Sequence, residues 1–217
     1  MRGATTLSSA HAFTQMWACH NRTVSGTVVT EVIGIALADT ARRRLHERAL
    51  DRYGYVTTRD AVEVGVAAVE LRKIAQRGGV EHVAYGLYRF DDIPRTGKEE
   101  LIEAVLRVGE GAFLTQDSVL ALHDLALVNP RRIRVGTPHR VRPQLPDSIE
   151  VIRQDLGSDE LTVYDGIASA TVARALEDCW ETVMTERLID ATRDATKRGL
   201  VRRRDAERLL AVFGATP

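Results

Sequence analysis

Residues 53–90 constrain the fold of this chain more than any other stretch, because they predict several structural elements in a fixed order. Thr57 and Asp60 have the spacing of a capping box, in which each side chain bonds the backbone of the other at a helix start. Gly65 predicts a tight turn after this helix, since a residue without Cβ adopts positive φ at little cost. A second helix, a Gly-Gly stop and a two-stranded hairpin are predicted to follow.

The second predicted helix, from about Ala67 to Arg77, is amphipathic. With 100° between successive residues, one face is apolar and the other polar. The outward set is Val69, Arg72, Lys73 and Gln76. Cationic side chains bind phosphates or guanine, an amide suits adenine, and a branched apolar side chain contacts the thymine methyl. This face is either a base-reading surface for the major groove of DNA or an ordinary solvated helix face.

A third helix, from Asp39 or Thr40 to Tyr53-Gly54, precedes these elements, and together they predict a winged helix-turn-helix. The residues expected to position such a unit on DNA phosphates are Thr58, Arg59, Arg77 and His82. Between Arg42 and Arg89, ten Arg and Lys residues stand against six Asp and Glu, in a chain whose formal net charge is zero. This local excess of positive charge favours nucleic acid as the partner.

The second half of the chain is predicted to be a separate unit. Residues Asp91–Gly97 predict a linker, because Pro94 blocks a continuing helix. Helices then alternate with short strands, with Thr115 expected to cap one of the helices. The predicted strands are Arg132–Thr137, Ile149–Gln154 and Leu161–Tyr164. The predicted fold class is therefore α+β. It comprises an N-terminal extension over residues 1–38, a winged helix-turn-helix domain over 39–92 and a mixed α/β C-terminal domain over 97–217.

Several segments together resemble one known family. They are Gly54–Thr58, Glu70–Val80, Tyr85–Phe90, Phe113–His123, Arg132–Val135 and Ala168–Asp178. In kind and order they are similar to the AbiEi family, antitoxins of type IV toxin–antitoxin and abortive-infection systems, over roughly residues 42–213. The resemblance implies an N-terminal winged helix that binds inverted repeats in its own promoter and represses it. It also implies a C-terminal domain that counteracts a nucleotidyltransferase-like toxin, for which direct toxin binding is not required.

Two other functions fit the same pattern. One is a stand-alone winged-helix transcriptional regulator whose C-terminal domain dimerises or binds a small ligand. The other is an adaptor that uses the winged-helix shape for protein contact. The hairpin tip reads Ala84-Tyr85 where the family usually has basic residues. We therefore expect one protomer to neutralise few phosphates and tight repression to need two protomers.

A second basic segment lies between Arg131 and Arg142, with five arginines, His139 and no acidic residue. Arg132 and Arg134 alternate along a predicted strand, so they are expected to share one face. The segment is either a solvated edge strand protected from pairing by its charge or a functional surface that contacts DNA backbone or the toxin. The residues of that surface would be Arg131, Arg132, Arg134, Arg140 and Arg142.

The sequence predicts no catalytic site, no cofactor and no metal. None of the three lysines has an acidic residue two positions before it, as a restriction-like nuclease site would need. The histidines do not reach metal-ligand spacing, and Cys19 and Cys179 lie far apart. The longest apolar run, Thr27–Ala38, contains Glu31 and is too short to span a bilayer. We therefore expect a cytoplasmic, non-enzymatic protein without a membrane segment.

Overall fold

The computed structural model describes residues 40–141 and 144–214. The chain divides after Arg43, and residues 44–217 form one compact unit. The fold is mixed α+β, with eight helices and two sheets among the described residues. The predicted extension over residues 1–38 and Arg142 of the basic segment lie outside the described residues.

The N-terminal part of the described chain contains three helices and a three-stranded sheet. The helices are α1 (residues 40–50), α2 (Thr58–Glu63) and α3 (Ala68–Gln76), and the strands are β1 (Tyr55–Thr57), β2 (Val80–Ala84) and β3 (Leu87–Phe90). β3 lies between β1 and β2 and is antiparallel to both. β2 and β3 are joined by a short turn and form a hairpin, which follows α3 directly in the chain.

The local signals at α2 and α3 are confirmed. The Thr57 hydroxyl accepts a hydrogen bond from the Asp60 backbone N–H at 3.1 Å, and the Asp60 carboxylate accepts one from the Thr57 N–H at 2.9 Å. Gly65 has a φ of 72° between the two helices, and Gly78 has a φ of 96° after α3. The two glycines therefore sit where the chain needs a left-handed residue to change direction.

The rest of the chain forms a five-stranded sheet with helices. Its strands are β4 (Phe113–Leu114), β5 (Ile133–Thr137), β6 (Ile149–Arg153), β7 (Leu161–Tyr164) and β8 (Ile167–Ala170), in the order β6-β5-β4-β8-β7. Its helices are α4 (Glu99–Val108), α5 (Asp117–Leu122), α6 (Val172–Asp178), α7 (Thr185–Lys197) and α8 (Arg203–Gly214).

The interior position of β5 corrects one prediction. β5 pairs with β4 on one side and with β6 on the other, so it is not an edge strand. The charge of the basic segment therefore does not protect a free edge at β5. The edges of this sheet are β6 and β7.

Thr115 does not cap α5, which is a second correction. The N-cap of α5 is Gln116, and its side chain makes no capping bond. Thr115 is fully buried, and its hydroxyl lies 2.9 Å from Oε1 of Gln154. Thr115 directly follows the last residue of β4, and its hydroxyl hydrogen-bonds Gln154 inside the protein and does not cap the helix.

The two sheets share one apolar core. Tyr55 and Leu87 of the three-stranded sheet belong to the same buried cluster as Ile102 of α4 and Leu114 of β4. The Tyr55 hydroxyl also donates to the Glu103 carboxylate of α4 at 2.6 Å. Residues 91–97 form no helix or strand, as expected of a connection between two sheets. The division into separate domains over 39–92 and 97–217 stays a prediction.

Candidate nucleic-acid interface

Helix α3 is held by its apolar face and exposes the opposite one. Leu71 and Ile74 are buried in the core, whereas the Val69 side chain is 60% exposed. Arg72, Lys73 and Gln76 are likewise exposed. The structure therefore places all four predicted base-reading residues on the solvent side of one helix.

Most of the polar groups on this face are not engaged inside the protein. Within residues 40–141 and 144–214, the side chains of Arg72 and Gln76 make no hydrogen bond or ion pair. Lys73 and Arg77 each lie 3.9 Å from the Glu70 carboxylate, the outer limit of an ion pair. An exposed pair at this distance contributes little, so the cations remain free to exchange Glu70 for a phosphate.

A groove of about 560 Å³ runs between α3 and the hairpin. It brings together four of the predicted residues: Thr58, Arg72, Gln76 and His82. Val69 and Lys73 of α3 and Arg77, which follows its last residue, do not line this groove. The polar side chains of the helix and of the hairpin thus face a common concave surface.

Two tyrosines that the sequence interpretation did not assign to the site also line the groove. Tyr85 stands at the hairpin turn with 98% of its surface exposed. Tyr88 is buried in β3, and its ring lies 4.9 Å from the His82 ring. The close spacing of Tyr85 and Tyr88 is the sequence signal that could have identified them as site residues. A tyrosine at a hairpin tip and a second one in the following strand can flank one surface. Their rings give the groove an aromatic wall.

An irregularity in β2 shapes the same wall. The register between β2 and β3 shifts between His82 and Ala84, which leaves Val83 in a bulge. The Val83 carbonyl accepts a hydrogen bond from Arg107 of α4 at 3.1 Å. Bulges re-aim side chains, so a residue of the C-terminal half takes part in setting the direction of the hairpin.

Arg59, a predicted phosphate contact, is held by carboxylates. One of its amino groups lies 2.5 Å from Glu110, and its Nε lies 3.4 Å from Glu63. The hydrogen bond to Glu110 raises the pKa of Arg59 and lowers the pKa of Glu110. Arg59 does not line the groove, so it can meet a phosphate only by leaving Glu110.

A buried carboxylate, that of Asp60, holds helices α1 and α2 together. Asp60 is almost fully buried and accepts hydrogen bonds at the N-terminus of α2. Arg52 of the turn after α1 lies 2.9 Å from the Asp60 carboxylate, and Arg48 of α1 lies 3.4 Å from it. These arginines therefore anchor α1 to α2 and are not part of the exposed face.

The basic segment Arg131–Arg142 is divided by the fold. Arg134 lies 2.5 Å from Asp117 and 3.3 Å from Glu150, within the protein. Arg132 precedes β5, which begins at Ile133. The strand therefore begins one residue later than predicted, and Arg134 is ion-paired whereas Arg132 is exposed. That the two side chains share one face stays a prediction.

Three arginines of the segment remain exposed. They are Arg131, Arg132 and Arg140. In the described parts of the chain none of them has an ion-pair partner. Burial raises the pKa of Asp117, and the Arg134 guanidinium opposes that rise. The described part of the segment, residues 131–141, thus contains one arginine that stabilises the fold and three that face solvent.

Other kinds of site find no support in residues 40–141 and 144–214. These ranges contain no group of three His, Cys, Asp or Glu side chains that could hold a metal ion. Cys179 is buried, and burial raises the pKa of its thiol to about 12, which keeps it protonated at neutral pH. No helix in the described ranges is long and apolar enough to cross a membrane.

Comparison with known proteins adds little. No family model matches the chain. No curated protein matches it either. Among solved structures the chain is similar to the crystal structure of the RV2827C protein from Mycobacterium tuberculosis. The two are 18% identical over 79% of this chain and 71% of that one, with a TM-score of 0.42.

Proposed function

We propose that this chain is a DNA-binding antitoxin of a type IV toxin–antitoxin system. Its N-terminal winged helix-turn-helix represses its own operon by binding inverted repeats in the promoter. Its C-terminal half neutralises a nucleotidyltransferase-like toxin encoded nearby. In this proposal the protein is not an enzyme, needs no cofactor and acts in the cytoplasm, where its operator is.

The exposed face of α3 carries the DNA-binding part of the proposal. A major groove about 12 Å wide admits one α-helix, and the side chains on the inserted face reach the base edges. Arg72 and Gln76 supply the two kinds of group that recognise guanine and adenine, and neither is engaged elsewhere in the described structure. The hairpin follows α3 immediately. It forms the opposite wall of the protein's own groove from Arg72 and Gln76, which is where a wing would lie.

The predicted roles differ from residue to residue. In the proposed complex Val69, Arg72, Lys73 and Gln76 read bases. Thr58, Arg77 and His82 contact phosphates, and Arg59 joins them once Glu110 is displaced. Tyr85, at the tip of the wing, adds an apolar contact where the family usually has a cation. Few phosphates are neutralised by this set, so the proposal includes two protomers on each inverted repeat.

The antitoxin part rests on the resemblance of the C-terminal half to the AbiEi family. The structure contributes one supporting feature, which is the exposed set Arg131, Arg132 and Arg140. These side chains are available to contact the toxin or its nucleic-acid substrate. Arg134 is not, because Asp117 and Glu150 hold it.

Promoter binding tests the first part. The full-length protein should shift its own upstream DNA in a gel at fixed salt. Gln76→Ala should relax sequence preference by about 1–3 kcal/mol, the usual value of one bidentate base contact. Glu81→Ala, an exposed change on β2 outside the groove, is the matched control. A full-length protein that binds promoter and unrelated DNA equally would contradict the operator assignment.

Growth rescue tests the second part and separates the two leading functions. Full-length protein expressed with the neighbouring toxin should restore growth. The Arg72→Ala, Lys73→Ala variant, expressed from a foreign promoter, should rescue equally while failing to bind its own promoter. Promoter binding without rescue would instead favour the stand-alone regulator with a dimerising or ligand-binding C-terminal half. Keeping the chain whole avoids cutting the core that Tyr55 and Leu87 share with the C-terminal half.

A further inference from the structure

A second cavity, of about 390 Å³, lies away from the groove beside α3. Its walls come from the connection before α4, from α4, and from the loops that precede β5 and β6. It shares no residue with the groove. Its volume falls within the range of small-molecule sites, roughly 300–1,000 Å³.

Three arginines from three elements line this cavity: Arg95, Arg107 and Arg131. Arg95 and Arg131 are exposed and make no hydrogen bond or ion pair with any described residue. Arg107 is fixed by Glu103 at 2.7 Å and by the Val83 carbonyl at 3.1 Å. The cavity therefore holds two guanidinium groups that form no ion pair with any described residue, beside a third one that Glu103 fixes in position.

Two carboxylates, those of Glu100 and Glu103, line the same cavity and differ in their hydrogen bonding. Glu103 is bound by Tyr55 and by Arg107. Glu100 is exposed, and across the described ranges its carboxylate accepts no hydrogen bond. The unengaged groups are thus two cations and one acceptor, with Pro130, Ile133 and Ile149 supplying apolar wall.

We infer that this cavity binds a small ligand of the nucleoside monophosphate class. Guanidinium groups recognise phosphate through paired, charge-assisted hydrogen bonds, which suits Arg95 and Arg131. Glu100 can accept from a ribose hydroxyl or an exocyclic amine. The proline and isoleucine side chains offer a surface to a flat ring.

The same residues argue against a DNA backbone at this position. A duplex carries one negative charge for each 1.7 Å of its axis, and Glu100 and Glu103 would face that array. A single phosphate can sit at the arginines and leave the carboxylates to donor groups. The concave shape also fits a compact ligand better than a rod.

Titration calorimetry on the full-length protein tests this inference without DNA or toxin, so it stands or falls apart from the proposed function. The probes are AMP, adenosine and inorganic phosphate. AMP should bind, and adenosine should bind more weakly. The Arg95→Gln, Arg131→Gln double variant should lose about tenfold or more in AMP affinity, as expected for two charge-assisted contacts. Glu100→Gln should weaken AMP and leave inorganic phosphate unchanged.

Arg153→Gln is the matched control, because Arg153 is an exposed arginine of β6 outside the cavity and should leave AMP affinity unchanged. Circular dichroism on each variant establishes that it is folded. Absence of AMP binding to the unaltered protein would overturn the inference. So would AMP binding that Arg95→Gln, Arg131→Gln leaves intact. Binding of a short duplex that depends on these two arginines, without AMP binding, would assign the cavity to DNA instead.

Discussion

The exposed face of α3 and the basic segment Arg131–Arg142 look alike in sequence and differ in the folded protein. Both are short stretches rich in cationic residues. On α3, the Arg72 side chain makes no hydrogen bond or ion pair with a described residue, and Lys73 has only a long contact to Glu70. In the basic segment, Arg134 is held between Asp117 and Glu150.

The difference shows that a count of charges does not reveal which of them are available. A cation on an amphipathic helix points away from the core by the geometry of the helix, and its near neighbours in sequence decide its partners. A cation on an interior strand faces residues from other elements. Arg134 has such partners because β5 lies between two strands and beneath α5.

The largest expected effect, and the strongest test of this comparison, is the loss of promoter affinity when the cations of α3 are removed. Arg72→Ala with Lys73→Ala should weaken promoter affinity by roughly thirtyfold or more, at about 1–3 kcal/mol for each lost contact. The free energy of unfolding should stay within about 0.5 kcal/mol, because both side chains are exposed. Fluorescence anisotropy at fixed salt measures the affinity.

Arg202→Ala with Arg204→Ala is the control for that experiment, since both are exposed arginines at the start of α8. It removes the same kind of charge from a distant surface. If both double variants lose affinity equally, general charge and not the α3 face drives DNA binding.

The second effect concerns stability. Arg134→Ala should lower the free energy of unfolding by about 2–3 kcal/mol, because it leaves the half-buried Asp117 carboxylate without its cation. Arg132→Ala, two residues away and exposed, should change it by less than about 0.5 kcal/mol. Urea unfolding of the two variants gives both values. Equal losses would mean that Arg134 is as free as its neighbour.

The salt dependence of promoter affinity measures whether both regions contact DNA. If only the α3 face and the hairpin contact DNA, the slope of log affinity against log salt should correspond to on the order of three to five counterions for each protomer. A slope near ten would show that exposed arginines such as Arg132 and Arg140 also hold the backbone. Repeating the titration with Arg140→Ala then identifies the contribution of the segment.

A smaller effect, from a residue outside both regions, is expected in the pH dependence of stability. Burial lowers the pKa of His123 in the C-terminal half, and the nearby charges of Arg198 and Lys98 lower it further. The unfolded chain therefore binds a proton more readily than the folded protein does. The stability linked to this residue is complete above the ordinary histidine pKa of about 6.5 and is lost as pH falls from there toward the lower folded value.

Urea unfolding at pH 8 and pH 6 measures that loss. His123→Gln should reduce the difference between the two pH values, whereas His139→Gln, at an exposed position, should not. His123 stacks edge-on against Tyr164, so a conservative second variant, His123→Phe, keeps the ring while removing the titrating group. A pH dependence that survives both variants would place the responsible group elsewhere.

The smallest expected effect is at Arg59. Glu110→Gln should release this arginine from its exposed ion pair and raise promoter affinity modestly, since exposed pairs contribute little. The gain should vanish when Arg59→Gln is added. A gain that persists in the double variant would show that Glu110 acts by repelling DNA directly.

The sequence by itself determined the features that depend on near neighbours. The capping box of Thr57 and Asp60, the turn at Gly65, the outward face of α3 and the strand Leu161–Tyr164 are all as predicted. Each depends on backbone hydrogen bonds or side-chain directions within a few residues, which periodicity and turn chemistry describe directly.

Only the tertiary structure decided which polar groups are engaged and which remain available. Arg134 meets acids 16 and 17 residues away in sequence, and Thr115 turns inward to Gln154. Arg59 meets a carboxylate of the C-terminal half. Such pairings follow from strand order and helix packing, because an ion pair forms between whichever side chains the folded chain brings within a few ångströms.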